Sequence, residues 1–272
     1  MSEPDEPSAE PAVPLEALPA PREKAMGFWD HLEELRWTLI KSAVAFTVCA
    51  VFIGYFMDDF NGVLLQPLLK VKAEYPAVSI DLGTTTIIEG FNVVIQMCVL
   101  GGLVMSAPLI LLFVGQFVAP ALTEKEIKAV APICISAIVL FLIGAAFSFY
   151  FLVPSTIRVS VQINQMLGYQ LRWTPGSYYS LLTWLVLGVG ASFEFPLVIV
   201  LLVWLGVMST AFLRKYRRHA IVAIFIIAAI VTPTPDPITQ TVFALPLYAL
   251  YEIAILAAAR VEKKRLTKAR FG

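Results

Sequence analysis

The sequence predicts an all-α membrane protein of six spans, and three observations carry that prediction. Of 272 residues, 58% are hydrophobic and only 15% charged, against roughly a quarter charged in soluble domains. Apolar runs recur along the chain, several of them about 18–25 residues long, enough to cross a hydrocarbon core of roughly 30 Å. Lys and Arg are partitioned between alternate loops, which fixes an orientation.

The elements follow in order. Residues 1–24 hold six prolines and six acids against Arg22 and Lys24, a composition expected to stay disordered because it cannot bury enough apolar surface. This tail lacks the basic start and apolar stretch of a signal peptide, so it is not expected to be a targeting segment. The membrane domain is expected over 25–262, with spans at 37–57, 88–114, 129–153, 178–206, 219–232 and 238–259, followed by a basic tail at 263–272. The fifth run, "HAIVAIFIIAAIVT", has 14 residues and would rise only about 21 Å as a helix. It predicts a mismatch with the bilayer, met by thinning or by shelter from neighbours.

Orientation follows from the twenty basic residues. Sixteen flank one side: Arg22, Lys24, Arg36, Lys41, Lys125, Lys128, Arg214, Lys215, Arg217, Arg218, Arg260, Lys263, Lys264, Arg265, Lys268 and Arg270. Four flank the other: Lys70, Lys72, Arg158 and Arg172. Both termini are therefore expected in the cytoplasm. Two outer loops, 58–87 and 154–177, contain "VLLQPLLKV" and "IRVSVQINQML", which read as short interfacial helices. The third, "TPTPDP", reads as a stiff hairpin because proline forbids helix continuation and holds the preceding residue extended.

Chemistry-bearing residues are few. Cys49, Cys98 and Cys134 lie in apolar runs and read as packing residues, not as disulfides or metal ligands. His31 and His219 are the only histidines, and the chain has no Walker-type loop and no H-E-x-x-H. It is not expected to be an enzyme or to bind a cofactor, metal or nucleic acid.

Four acids stand out instead. In "FWDHLEELRWTLI", Phe28, Leu32, Leu35 and Leu39 form an apolar helical stripe, with Asp30 and Glu34 on one flank of the opposite surface and Arg36 and Trp29 on the other. The segment could be a plain interfacial anchor or could present Glu34. In "GQFVAPALTEKEIKAVAP", Thr123 and Glu126 form a capping box, which alone gives Glu126 a structural role. Yet Glu34 and Glu126 both face the basic side, and two carboxylates on one surface suit bidentate Arg. Glu194, in "SFEFP", lies within a span, where an ionisable group costs roughly 2.5–3.5 kcal/mol on insertion scales and so belongs against a cavity or partner. Pro196 should kink the helix there, and Gln240 is the best polar candidate at similar depth. Glu252, in "LYEIAIL", reads equally as a structural bond or a functional group. One function compatible with these residues is a small secondary transporter or ion pathway with Glu194 as the protonatable site, though no internal repeat is visible.

Taken together, "HLEELR", "FVAPALTEKE", "SFEFP", "TPTPDPITQ" and "ALPLYALYEI", in that order over nearly the whole chain after the tail, resemble the TatC family of twin-arginine protein translocases. The resemblance implies a cupped bundle with short fifth and sixth helices in the bacterial inner membrane. It also implies a receptor and core subunit that helps export folded proteins using the proton motive force. Twin-arginine signal peptides would be read by Glu34 and Glu126, with Arg36 and Phe117 in the same motifs. Glu194 and Gln240 would meet single-span TatA/TatB-type subunits or a passing signal peptide, and further TatC copies would be partners. Pro67, in "LLQPLL", matches a family proline of the first outer loop. Gln96 departs from the pattern, standing where many members carry lysine.

Overall fold

The computed structural model describes the backbone of residues 28–76, 82–121, 124–232 and 236–271. The side chains of 28, 121, 124–126, 128 and 264–271 lie outside that description, as do the 1–24 tail and the prolines at 233 and 235. Eleven α-helices are found among the described residues: α1 Phe28–Tyr55, α2 Met57–Leu64, α3 Gln66–Glu74, α4 Glu89–Val118, α5 Glu124–Phe147, α6 Val153–Leu167, α7 Pro175–Ser192, α8 Phe195–Trp204, α9 Thr210–Lys215, α10 Arg217–Val231 and α11 Pro237–Phe271.

Five stretches among the described residues are long and apolar enough to cross a membrane: α1, α4, α5 running into α6, α7 with α8, and α11. The sixth crossing is α10. At 15 residues it rises about 22 Å, which is the short span expected. The fold is the expected six-span all-α bundle.

Two boundaries differ from the sequence reading, at the ends of the third and sixth spans, and the fourth span breaks where Pro196 was expected to kink it, each for a local reason. The third span does not stop at 153. A π-helical turn, Ser148–Leu152, joins α5 directly to α6, and the wider turn admits Pro154, which sits in the first turn of α6. "IRVSVQINQML" is thus a continuation of the span, not a separate interfacial helix. It ends where Gly168 adopts φ +72°, and the Tyr169 N–H closes back on the Asn164 carbonyl at 2.9 Å. The fourth span is broken at Phe193–Glu194 into α7 and α8, because Pro196 has no N–H to offer the Ser192 carbonyl and instead occupies the first turn of α8. The last helix continues past 259 to Phe271, so residues 263–271 extend the sixth helix, which at 35 residues is not the short one expected. Its start is fixed by Asp236, whose carboxylate accepts the Thr239 N–H at 2.6 Å.

The core centres on α7. Leu182, Leu185 and Val189 are fully buried, and glycines let the neighbours close in. A Cβ on Gly190 would lie 2.9 Å from the Phe141 ring, and one on Gly144 would lie 2.7 Å from Phe193. Helix α1 is peripheral and crosses α4 at Gly101 and Gly102, which meet Ile53 and Ala50. Cys49 and Cys134 are buried, Cys98 is partly so, and all three are free thiols.

Fastenings at the end away from the basic loops hold α2 and α3 down. Pro67 is buried in the first turn of α3. The Tyr178 hydroxyl donates to the Leu64 carbonyl at 2.5 Å, and Tyr179 bonds Asn61. Arg158 grips Glu74 in a two-bond fork at 2.6 and 2.8 Å. That fork holds the Glu74 carboxyl below the ordinary carboxylate range.

A depressed folded-state pKa contributes stability that is present above the unfolded value of 4.5 and fades as pH falls through the lower folded value. Both side chains are about one-third exposed, so the pair is screened and contributes on the order of 0–1 kcal/mol. Thermal unfolding of wild type and Glu74→Gln in detergent should therefore differ by a small constant above about pH 5 and converge in stronger acid. A gap that widens with acid would contradict this assignment.

Candidate functional site

At the basic end, the start of α1 meets the end of α4. His31 stacks on Phe117 with ring centroids 4.5 Å apart and an interplanar angle of 20°. The contact exists because Phe117 is the penultimate residue of α4 and His31 lies in the first turns of α1. One helical turn after His31, on the same face, comes Glu34. It is half-buried, and its Oε2 is buried without a hydrogen-bond partner. An ionised oxygen left in that state is costly, so the site is set up to receive a donor.

The chain then passes through a single 3₁₀ turn, Ala119–Ala121, into α5. Glu126 is the third residue of α5 and so sits at this same end, while its side chain and the Thr123 cap lie outside the described residues. Arg36 is exposed, with its guanidinium carbon 5.6 Å from the centroid of the Trp37 ring. Trp29 is 79% exposed. The site thus presents an acceptor and a paired aromatic platform, a composition suited to a planar cationic side chain.

Glu194 occupies the break between α7 and α8. Its carbonyl accepts the Leu197 and Val198 N–H groups at 3.0 and 3.1 Å, which starts α8. Its side chain is half-buried, and Oε1 is buried without a partner. Phe193 beside it packs on Phe147 at 5.9 Å, fixing the break against α5. Gln240 is engaged elsewhere: its Nε2 donates to the Phe225 carbonyl at 3.0 Å, which ties α11 to α10. The two residues expected at similar depth therefore do not bond each other. Gln96 is half-buried in α4 and keeps an unpartnered Oε1.

Glu252 is a structural bond. Arg217 at the start of α10 reaches its Oε2 at 2.8 Å, and the Tyr248 hydroxyl donates to Oε1 at 3.1 Å. Sequence reasoning missed the partner. It also missed Glu89, a buried carboxylate at the other end that accepts the Thr85 and Gly176 N–H groups at 2.8 and 3.2 Å and so joins the starts of α4 and α7. Gly176 is 87 positions from Glu89, and no local pattern signals such a contact. Among the described residues no group of three or more metal-ligating side chains forms.

Comparison with known proteins places this geometry. The family profile for "Sec-independent protein translocase protein (TatC)" matches residues 30–246. The Sec-independent protein translocase protein TatC of Escherichia coli K12 is 35% identical over 83% of this chain and 85% of its own. That of Koribacter versatilis is 32% identical over 91% and 90%, and that of Helicobacter pylori is 36% identical over 85% and 87%. A crystal structure of the twin-arginine translocase receptor TatC in detergent superposes with a TM-score of 0.72 at 32% identity, covering 84% of this chain and 99% of that one. These matches favour the translocase reading over the solute-carrier alternative. The chain belongs to the TatC family and is a multi-pass helical membrane protein of the Sec-independent translocase.

Proposed function

We propose that this protein is the receptor of a twin-arginine translocase in a bacterial inner membrane, with both termini cytoplasmic, and that it binds the paired arginines of signal peptides on folded precursors. The observation that carries this reading is the unpartnered carboxylate oxygen of Glu34 next to the His31–Phe117 stack. A guanidinium satisfies that oxygen and lies flat on an aromatic face, and its planar fork does so better than an ammonium. Glu126, in the first turn of α5, supplies the second carboxylate, and Arg36 and Phe117 complete the binding surface. The sixteen-to-four bias of basic residues supports the orientation.

Glu194 has a separate role in this proposal. It is held in the helix break with one oxygen free, facing single-span TatA/TatB-type subunits, and a polar side chain of such a partner gains about 1–2 kcal/mol by bonding it within lipid. Gln240 contributes indirectly, by holding α10 against α11 through Phe225, and Pro67 keeps the outer loop folded. Assembly with further copies of the chain, and coupling to the proton motive force, belong to the same reading.

Cross-linking of the protein to an Arg-Arg precursor that carries a photoreactive group beside its arginines should fall at least tenfold when Glu34 and Glu126 are both changed to Gln, while the protein still inserts. Undiminished cross-linking would move the site elsewhere. Glu194→Ala should still bind the precursor yet lose most export of a folded reporter and most co-purification of single-span subunits. Full export by that variant would remove Glu194 from the mechanism.

A further inference from the structure

The loop between the fourth and fifth crossings is a rigid platform. Gly206, at φ +77°, ends α8 with the Val207 N–H returned to the Leu202 carbonyl at 3.0 Å. The Ser209 hydroxyl caps α9 by accepting the Phe212 N–H at 3.2 Å. Glu262 on α11 accepts the Thr210 N–H at 3.1 Å and also bonds its hydroxyl. Leu213 is buried, and its carbonyl accepts the Tyr251 hydroxyl at 3.0 Å. Arg217 is committed to Glu252. Residues 210–217 are therefore pinned to α11 by three of its side chains, Glu262, Tyr251 and Glu252.

What the platform turns outward is distinctive. Arg214, Lys215 and Arg218 are exposed, and within this cluster the only ion pair among the described residues is that of Arg217. Apolar and aromatic groups stand exposed among the cations: Val207 at 70%, Phe212 at 47% and Tyr216 at 37%. The Phe212 and Tyr216 rings lie 4.4 Å apart, and the Lys215 ammonium sits 5.8 Å from the Tyr216 centroid. Beside them opens a cleft of about 400 Å³ lined by Val203, Val207, Met208 and Phe212, with Ser209 and Glu262 at its polar side.

Position relative to the membrane identifies the occupant. Helix α10, which leaves this platform, rises only about 22 Å against a hydrocarbon core of roughly 30 Å, and bilayer thinning to match it would draw lipid headgroups toward the platform. A soluble anion would satisfy the cations and leave the cleft and the exposed aromatics wet. An anionic phospholipid satisfies both: its phosphate meets the cations and one acyl chain enters the cleft. We propose that residues 206–218 and the adjoining cleft form a specific binding site for an anionic phospholipid, with Arg214, Lys215 and Arg218 as the headgroup ligands.

Full-length protein in nanodiscs of equal phosphatidylglycerol and phosphatidylcholine, released into the gas phase and weighed with its retained lipids, tests this. Wild type should retain phosphatidylglycerol in preference to phosphatidylcholine. Each cation near an anionic surface contributes about one factor of five, so Arg214→Gln with Lys215→Gln and Arg218→Gln should weaken retention by roughly a hundredfold. Lys41→Gln with Arg260→Gln, which removes charge elsewhere, should leave it unchanged. Equal loss in both variants would reduce the site to diffuse attraction and overturn the proposal, as would undiminished retention in the triple variant. If the triple variant cannot be purified, thermal unfolding of wild type in mixed micelles decides. Phosphatidylglycerol should raise the midpoint where phosphatidylcholine and inorganic phosphate do not, and equal effects of all three would overturn the proposal.

Discussion

A carboxylate placed at or below the headgroup level must find a donor, because lipid offers none and leaving it bare costs several kcal/mol. That constraint sorts the acids of this chain. Glu89 and Glu252 are satisfied internally, by backbone N–H groups and by Arg217 with Tyr248, and they fasten helices. Glu34 and Glu194 each keep a buried oxygen with no donor. The first pair holds the bundle together, and the second pair marks where something else completes it.

The scaffold explains how two unsatisfied groups persist. Glu34 is kept in place by the crossing of α1 over the glycines of α4, which brings His31 onto Phe117. Glu194 is kept by the break after α7, with the missing N–H of Pro196 on one side and Phe193 wedged between Gly144 and Phe147 on the other. The backbones that carry both acids are held by these contacts, and tight contacts in a close-packed interior do not yield gradually. The fold therefore keeps two unsatisfied carboxyl oxygens, one at the basic end and one at the break between α7 and α8, and the proposed function assigns a binding role to each.

Much of this was legible in the sequence, for physical reasons. Span positions follow from apolar length, and the short fifth span and the Pro196 break follow from counting residues and from the missing N–H. Glu34 was singled out from the residues and Phe117 from the family resemblance alone; the stack of His31 on Phe117, which brings their helices together, was not foreseen. What remained hidden were pairings across the chain. Gln240 was matched with Glu194 by depth, yet it bonds the Phe225 carbonyl on α10. Depth along a helix is readable from sequence, whereas the azimuth it presents to its neighbours depends on packing. The continuation of the third span to Leu167 was missed because Pro154 looks like a terminator, and only the π-helical turn before it makes room for the ring. Beside local bonds to Thr85 and Tyr248, the cross-chain partners Gly176 of Glu89, Arg217 of Glu252 and Thr210 of Glu262 lie 35 to 87 positions away, beyond any local rule.

On the proposed function, an unsatisfied acidic rim reads guanidinium groups by charge and by shape. Equilibrium binding of Arg-Arg, Lys-Lys and Gln-Gln signal peptides to the reconstituted protein, measured across ionic strength, tests it most directly. Affinity should fall in the order Arg-Arg, Lys-Lys, Gln-Gln, with the Arg-Arg complex weakening as salt rises. Equal affinity for the three peptides, or an Arg-Arg affinity indifferent to salt, would contradict it.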